Sequence, residues 1–255
     1  MLMEHIHIVL RVLKKFHGFP YVRKSFNLWI CIASAFFLLI NLPIMVEAKE
    51  DGTMKTFIKA TDKVIQLPKP QLRGGMSIEE TLAKRESVRH FTSEELTLSE
   101  ISQVLWASQG ITRNWGGRTA PSAGALYPLE LYLALKEGLF HYVPRNHQLS
   151  RLSDQNLIGD LASAALDQQC IRESPAVVII TGVFERIERK YGKRGERYVK
   201  VEAGHAAQNI LLQSVSLGLG AVPVGAFYDN RIQKLLNIPE NHEPLYLIPL
   251  GHIKK

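Results

Sequence analysis

The run PAVVIITG, residues 175–182, restricts the fold more than any other segment. Five consecutive apolar residues, mostly β-branched and bounded by Pro175 and Gly182, suit a short strand covered on both faces. Such a strand needs a packed layer on each side. LELYLAL supplies a second strand, with Leu129, Leu131, Leu133 and Leu135 alternating against Glu130, Tyr132 and Ala134. LFHYV, PRNH and QLSRL read as strand, turn and strand, and LYLIPL as the last strand.

The helices carry their own punctuation. SIEETLAKR places Ser77 and Glu80, and TLSEISQVLWASQG places Thr97 and Glu100, at capping-box spacing, and Gly110 stops the second. NLIGDLASAALDQQ and DNRIQKLLNI also read as helical, as does a stretch from about Tyr198 to Leu217 rich in Ala203, Gly204, Ala206 and Ala207. His205 there is expected to be a hydrogen-bonded core histidine. Helices and strands mix without a strict βαβ rhythm, which predicts an α+β fold: a mainly antiparallel sheet surrounded by helices.

The 255 residues hold one substantial domain or at most two, and 46% hydrophobic with 22% charged residues excludes a disordered chain. Five Lys/Arg against two acids before Ala48 leave +3 of the formal +7 there; the rest is dispersed, with no basic stripe suited to nucleic acid. Lys14, Lys15, Arg23 and Lys24 precede the uncharged SFNLWICIASAFFLLINLPIMV, and Val46-Glu47-Ala48 offers small residues for a signal peptidase. Residues 1–48 are therefore expected to be an export signal or a membrane anchor, making the protein exported or periplasmic, with membrane contact through this segment alone. Residues 49–76 are polar and aperiodic and are expected to form an extended arm, with the folded domain at 77–255. Cys31 falls in the apolar segment, which leaves no internal disulfide, and Cys170, ending an amphipathic stretch, is expected to be structural.

GLGAVPVG is no dinucleotide fingerprint, because Gly218 and Gly220 leave a helix rather than open one. No His pairs with another ligand at metal spacing, so no metal is expected. Three segments point elsewhere. RESVRHF sets Arg85 and Arg89 four apart with Ser87 between, a pattern that holds an anion and a second electron-rich group. RTAPSAGALYPLELYLAL puts nearly bare backbone, Pro121-Ser122-Ala123-Gly124-Ala125, before a strand, where something flat or charged can come close. Gly225 and Ala226, after Pro223, give a second bare edge. A planar cofactor with a phosphate fits all three. ERKYGKRGERY taken alone reads as a charged, glycine-broken surface loop.

RESVRHF, LSEISQVLWASQGIT, RTAPSAGALYPLELYL, the block KYGKRGERYVKVEAGHAAQNILLQSVSLGLGAVPVGAF and the closing LIPLGH together resemble the SagB-type branch of the nitroreductase superfamily, from roughly Leu67 to His252. The resemblance implies a nitroreductase-like, domain-exchanged homodimer with an FMN at each of two sites built across the interface. It assigns Arg85 and Ser87 to the phosphate and ribityl side and Arg89 to the N1/C2 carbonyl edge. Pro121, Ser122, Ala123, Gly124 and Ala125 would line the ring and sugar, Gly225 and Ala226 would offer donors near N5, and Lys254 would assist the phosphate. Lys190 and Tyr191 resemble the Lys-Tyr pair that azoline dehydrogenases of this branch place beside the flavin, where a desolvated Lys or Tyr serves as base. Many nitroreductases carry Asn where Ala125 stands and an acid where Gly225 stands.

The expected activity is hydride transfer through flavin N5, with azoline or peptide dehydrogenation foremost. An NAD(P)H-dependent reductase of nitro compounds or quinones is the first alternative, and a non-catalytic flavin-binding subunit of a maturation complex the second. The substrate is a small molecule or a peptide, and the residues name neither electron donor nor acceptor.

Overall fold

The computed structural model describes residues 49–50, 53–54 and 62–254. The segment expected to direct export lies outside them, and the sheet and helices belong to the unit Ala48–Lys255. PAVVIITG forms β7 (Ala176–Gly182), and all seven residues are buried, as a strand covered on both faces requires. It pairs antiparallel on one side with β4 (Leu129–Leu135), Leu129 opposite Gly182 and Leu135 opposite Ala176. On the other side it pairs antiparallel with β9 (Glu243–His252), Ala176 opposite Leu250.

Beyond β4 lie β5 (Gly138–Val143), β6 (Gln148–Ser153) and β3 (Val64–Gln66). Beyond β9 lies β8 (Leu219–Ala221), and every pairing in this seven-stranded sheet is antiparallel. A separate two-stranded ribbon joins β1 (Lys49–Glu50) to β2 (Thr53–Met54). The sheet thus takes in Val64–Gln66 from the stretch expected to be an arm, with Ile65 buried. Its three residues were too short a run to show period two against the flanking charges.

Helices cover both faces. The first face packs Leu129, Leu131, Leu133, Val178 and Ile180 against α2 (Leu98–Gln109) and α6 (Arg194–Ser216). The second packs Tyr132, Ala134, Val177 and Ile179 against α3 (Ile158–Ala164), α4 (Gln169–Arg172) and α7 (Asp229–Leu236). Each fully buried aliphatic side chain contributes about 1.5–3 kcal/mol. The alternation in LELYLAL therefore separates two cores rather than a core from solvent.

The capping box at Thr97 and Glu100 is complete, and α1 (Ile78–Lys84) opens on Ser77, which accepts the Glu80 N–H. Two helical expectations change. NLIGDLASAALDQQ is helical only over Ile158–Ala164, because Leu166 and Asp167 take positive φ, and a second short helix begins at its last residue, Gln169. ERKYGKRGERY is helical on both sides of Gly192, at φ 57°: α5 (Phe184–Tyr191) ends before it and α6 starts at Arg194, earlier than expected. His205 is exposed on α6 and is not a core histidine.

Candidate functional site

The bare loop is held from several sides. Gly124, Ala125 and Tyr127 adopt φ of 62°, 54° and 47°, a left-handed conformation that costs a side-chain-bearing residue roughly 1–2 kcal/mol. At the start of the loop, Glu202 Oε1 on α6 accepts the Ala123 N–H at 2.8 Å. Ser122 Oγ in turn accepts the Tyr127 N–H at 2.8 Å, and Ala125 donates its N–H to the Ser122 carbonyl at 3.0 Å. At the end of the loop, Arg186 on α5 donates to the Tyr127 carbonyl at 2.6 Å, and the Arg118 N–H reaches the Tyr127 hydroxyl at 3.1 Å. The Arg118 guanidinium also sits over the Tyr127 ring, 4.5 Å from its centroid.

A charge network lies beneath. Glu130 accepts from Arg186 at 2.7 Å and from His141 at 2.9 Å. Burial pushes the Glu130 carboxyl up, but these two donors outweigh it and bring the pKa down to about 2. Glu202 has the opposite balance: burial dominates and raises its carboxyl, with the Ala123 and Ser122 bonds pulling back.

Lys190 and Tyr191 end α5 directly over this loop. A β-carbon built on Gly124 would stand 2.8 Å from the Tyr191 hydroxyl and 3.0 Å from Lys190 Nζ. Tyr191 packs edge-on against Tyr198, ring centroids 5.2 Å apart. The missing side chain at Gly124 thus makes room for an amine and a phenol to converge on one patch of exposed backbone.

The cationic segment belongs to another part of the molecule. Val88 donates its N–H to the Ala221 carbonyl at 3.1 Å, and Phe91 bridges Ile253, so RESVRHF runs beside β8 and the end of β9. Gly220 is required there, since its β-carbon would lie 2.5 Å from a Val88 methyl. Ser87 and Arg89 are exposed and Arg85 half-buried, with Arg89 donating to the Ser87 carbonyl at 3.3 Å. Lys254 joins them through its N–H to the His90 carbonyl at 3.1 Å. Gly225 and Ala226 follow Val224, which bridges Leu247, and both are exposed; the Ala226 carbonyl accepts from Gln168 at 3.0 Å, just ahead of α4. The buried thiol of Cys170, on α4, lies in the field of Arg89.

One chain therefore brings the expected residues together in two groups. Pro121–Ala125 with Lys190 and Tyr191 lie at the Leu129/Gly182 end of the central strands. Arg85, Ser87, Arg89 and Lys254 lie at the Leu135/Ala176/Leu250 end, with Gly225 and Ala226 on the strip beside β9. Seven strand residues separate the ends, roughly 20 Å. Glu202, Arg186 and Arg118 were not singled out in the sequence. The lone acid of VEAGHAA, among residues too small to shield it, was the available signal for Glu202. Among the described residues no group of three His, Cys, Asp or Glu could hold a metal ion, and no helix is long and apolar enough to cross a membrane.

An antiparallel sheet with helices on both faces, two core clusters and a strained loop clamped at its edge defines a known class. The nitroreductase family model matches residues 82–252. A protein of Methanocaldococcus jannaschii, provisionally named a nitroreductase, is 47% identical over 193 residues, 73% of this chain and 95% of that protein. A crystal structure from Ralstonia eutropha, described in the same provisional terms, superposes with a TM-score of 0.71 at 30% identity, covering 78% of this chain and 93% of that one. The microcin B17-processing protein McbC of Escherichia coli is 27% identical over 136 residues, 48% of this chain and 49% of McbC. The chain belongs to the nitroreductase family, and it is an oxidoreductase of that family with the nitroreductase-like fold.

Proposed function

We propose that the protein is an FMN-dependent dehydrogenase of the SagB-type branch, working as a homodimer whose sites combine the cationic group of one subunit with the bare loop of the other. The observation that carries this reading is the convergence of Lys190 Nζ and Tyr191 OH over Gly124. The likeness to McbC, a microcin B17-processing protein, supports the branch, and the separation of the two groups within one chain supports the paired site.

The residues fit the cofactor. Arg85, Arg89 and Lys254 offer cations along one edge for a phosphate and for a ring edge that gains negative charge. Gly225 and Ala226 expose backbone, as do Gly124 and Ala125. FMN, when bound, supplies a two-electron hydride acceptor at N5. The chain supplies the proton handling: Lys190 Nζ or Tyr191 OH takes the proton from the substrate carbon as hydride leaves the neighbouring atom. The strained loop keeps that carbon's approach open on the Gly124 side.

This reading is tested by the absorption spectrum of the purified protein, by flavin bleaching with an azoline peptide, and by recovery of colour with oxygen or a quinone. NAD(P)H bleaching with no response to azolines would move the activity to reduction of nitro compounds or quinones. A colourless protein that takes up no FMN would overturn the reading. The N-terminal 48 residues complete the proposal as an export signal, tested by a new terminus at Lys49 in the secreted or envelope fraction.

A further inference from the structure

We propose that Glu202 is a positioning residue, whose buried carboxylate fixes the entrance of the Ser122–Tyr127 loop so that Gly124 stays beneath Lys190 and Tyr191. The inference rests on reading this loop as part of the flavin site. Among the described residues Glu202 is the one acidic or basic side chain in the buried polar set, 5% exposed, and it stands beside Ala203 and Ala206. Arg118 and His205 act on it only through their fields, and the hydrogen bond it accepts comes from the Ala123 N–H. A carboxylate that did nothing but fill space would be replaced without loss by an apolar or amide side chain, because burying a charge is unfavourable.

The loop explains the charge. Ala125 and Tyr127 are held at positive φ against their own preference, so the segment keeps its shape only if both ends are anchored. Arg186 holds the Tyr127 carbonyl, and at the other end the Glu202 carboxylate accepts the Ala123 N–H. A Gln in its place keeps a carbonyl oxygen for the Ala123 N–H but loses the charge, so the bond that anchors the loop entrance is weaker. The raised carboxyl has a thermodynamic consequence with a definite sign. Burial raises the Glu202 carboxyl, and a folded-state value above the unfolded one means that stability is lost as pH rises through that interval.

The experiment compares the full chain with Glu202→Gln and Glu202→Ala by thermal melting at pH 7.5, by amide hydrogen exchange of the FMN-free protein, and by FMN titration with flavin fluorescence. The expected result has three parts. Glu202→Gln melts at or above the wild-type temperature. Glu202→Ala exchanges the Ala123 amide at least about tenfold faster while β7 keeps wild-type protection, the factor corresponding to one lost hydrogen bond to a charged acceptor. FMN affinity falls by about tenfold or more in Glu202→Ala and by less in Glu202→Gln. Wild-type exchange at Ala123 in Glu202→Ala would overturn the inference, as would a fall in melting temperature in both variants with no preferential loosening of the loop. A wild-type protein that binds no FMN would sink the flavin reading alone, since loop exchange still decides the role of Glu202.

Discussion

Lys190 Nζ stands 3.0 Å from the point where a β-carbon on Gly124 would lie. That contact, together with φ of 62° at Gly124, makes Gly124→Ala informative. The atoms in the way are the ends of two flexible side chains, so the fold survives; the left-handed backbone costs about 1 kcal/mol. The expected outcome is a small drop in melting temperature, near-normal FMN content and a disproportionate loss of turnover, as Lys190 and Tyr191 are pushed off their positions. Turnover falling only in step with melting temperature would remove the positional role.

Lys190→Ala and Tyr191→Phe separate chemistry from binding. Lys190 is exposed, and the phenylalanine ring preserves the edge contact with Tyr198, so both variants should stay within about 0.5 kcal/mol of wild-type stability. Lys190→Ala should lower the rate constant for substrate-driven flavin reduction by about 10²–10⁴-fold, the range for losing a general base, while FMN affinity changes little. Stopped-flow reduction in a single turnover measures this directly.

Acid stability should follow Glu130. Its folded pKa of about 2 lies below the ordinary carboxylate value, so its contribution is fully present above about pH 4.5 and disappears as pH falls through 2. A difference of this size corresponds to about 3 kcal/mol. Denaturant titrations at pH 7 and pH 3 should show a steeper loss in wild type than in Glu130→Gln, which starts lower because Arg186 and His141 lose their charged acceptor.

At the other end of the sheet, Gly220→Ala should displace RESVRHF. The new methyl would meet Val88 Cβ at 2.6 Å, close to its backbone, and the segment must lift off β8. FMN affinity is expected to fall, while exchange at the Ala123 amide stays as in wild type.

The sheet and its helices were legible because their signals are local. The apolar run at 175–182, the capping residues Thr97 and Glu100 and the glycine stop at Gly110 each specify their element without help from distant contacts. Val64–Gln66 and Leu219–Ala221 escaped notice because three residues cannot show a period, and their pairing partners decide them. Composition drew attention to Pro121–Ala125, while Lys190 and Tyr191 were marked only by the family resemblance, and the fold brings these together. Composition is silent on which donors face outward: the Ala123 amide is taken up by Glu202 across 79 residues of chain, a pairing no spacing rule reports.

The paired-site account is tested most directly with mixed dimers. Arg85→Ala/Arg89→Ala removes cations from one group and Gly124→Trp fills the loop of the other, so each homodimer should bind no FMN. In a dimer containing one subunit of each kind, two intact groups meet at one site and two damaged groups at the other. The account predicts one flavin per mixed dimer after purification through two distinct tags. No flavin in the mixed dimer would contradict it, because a site drawn from a single chain is broken in both subunits.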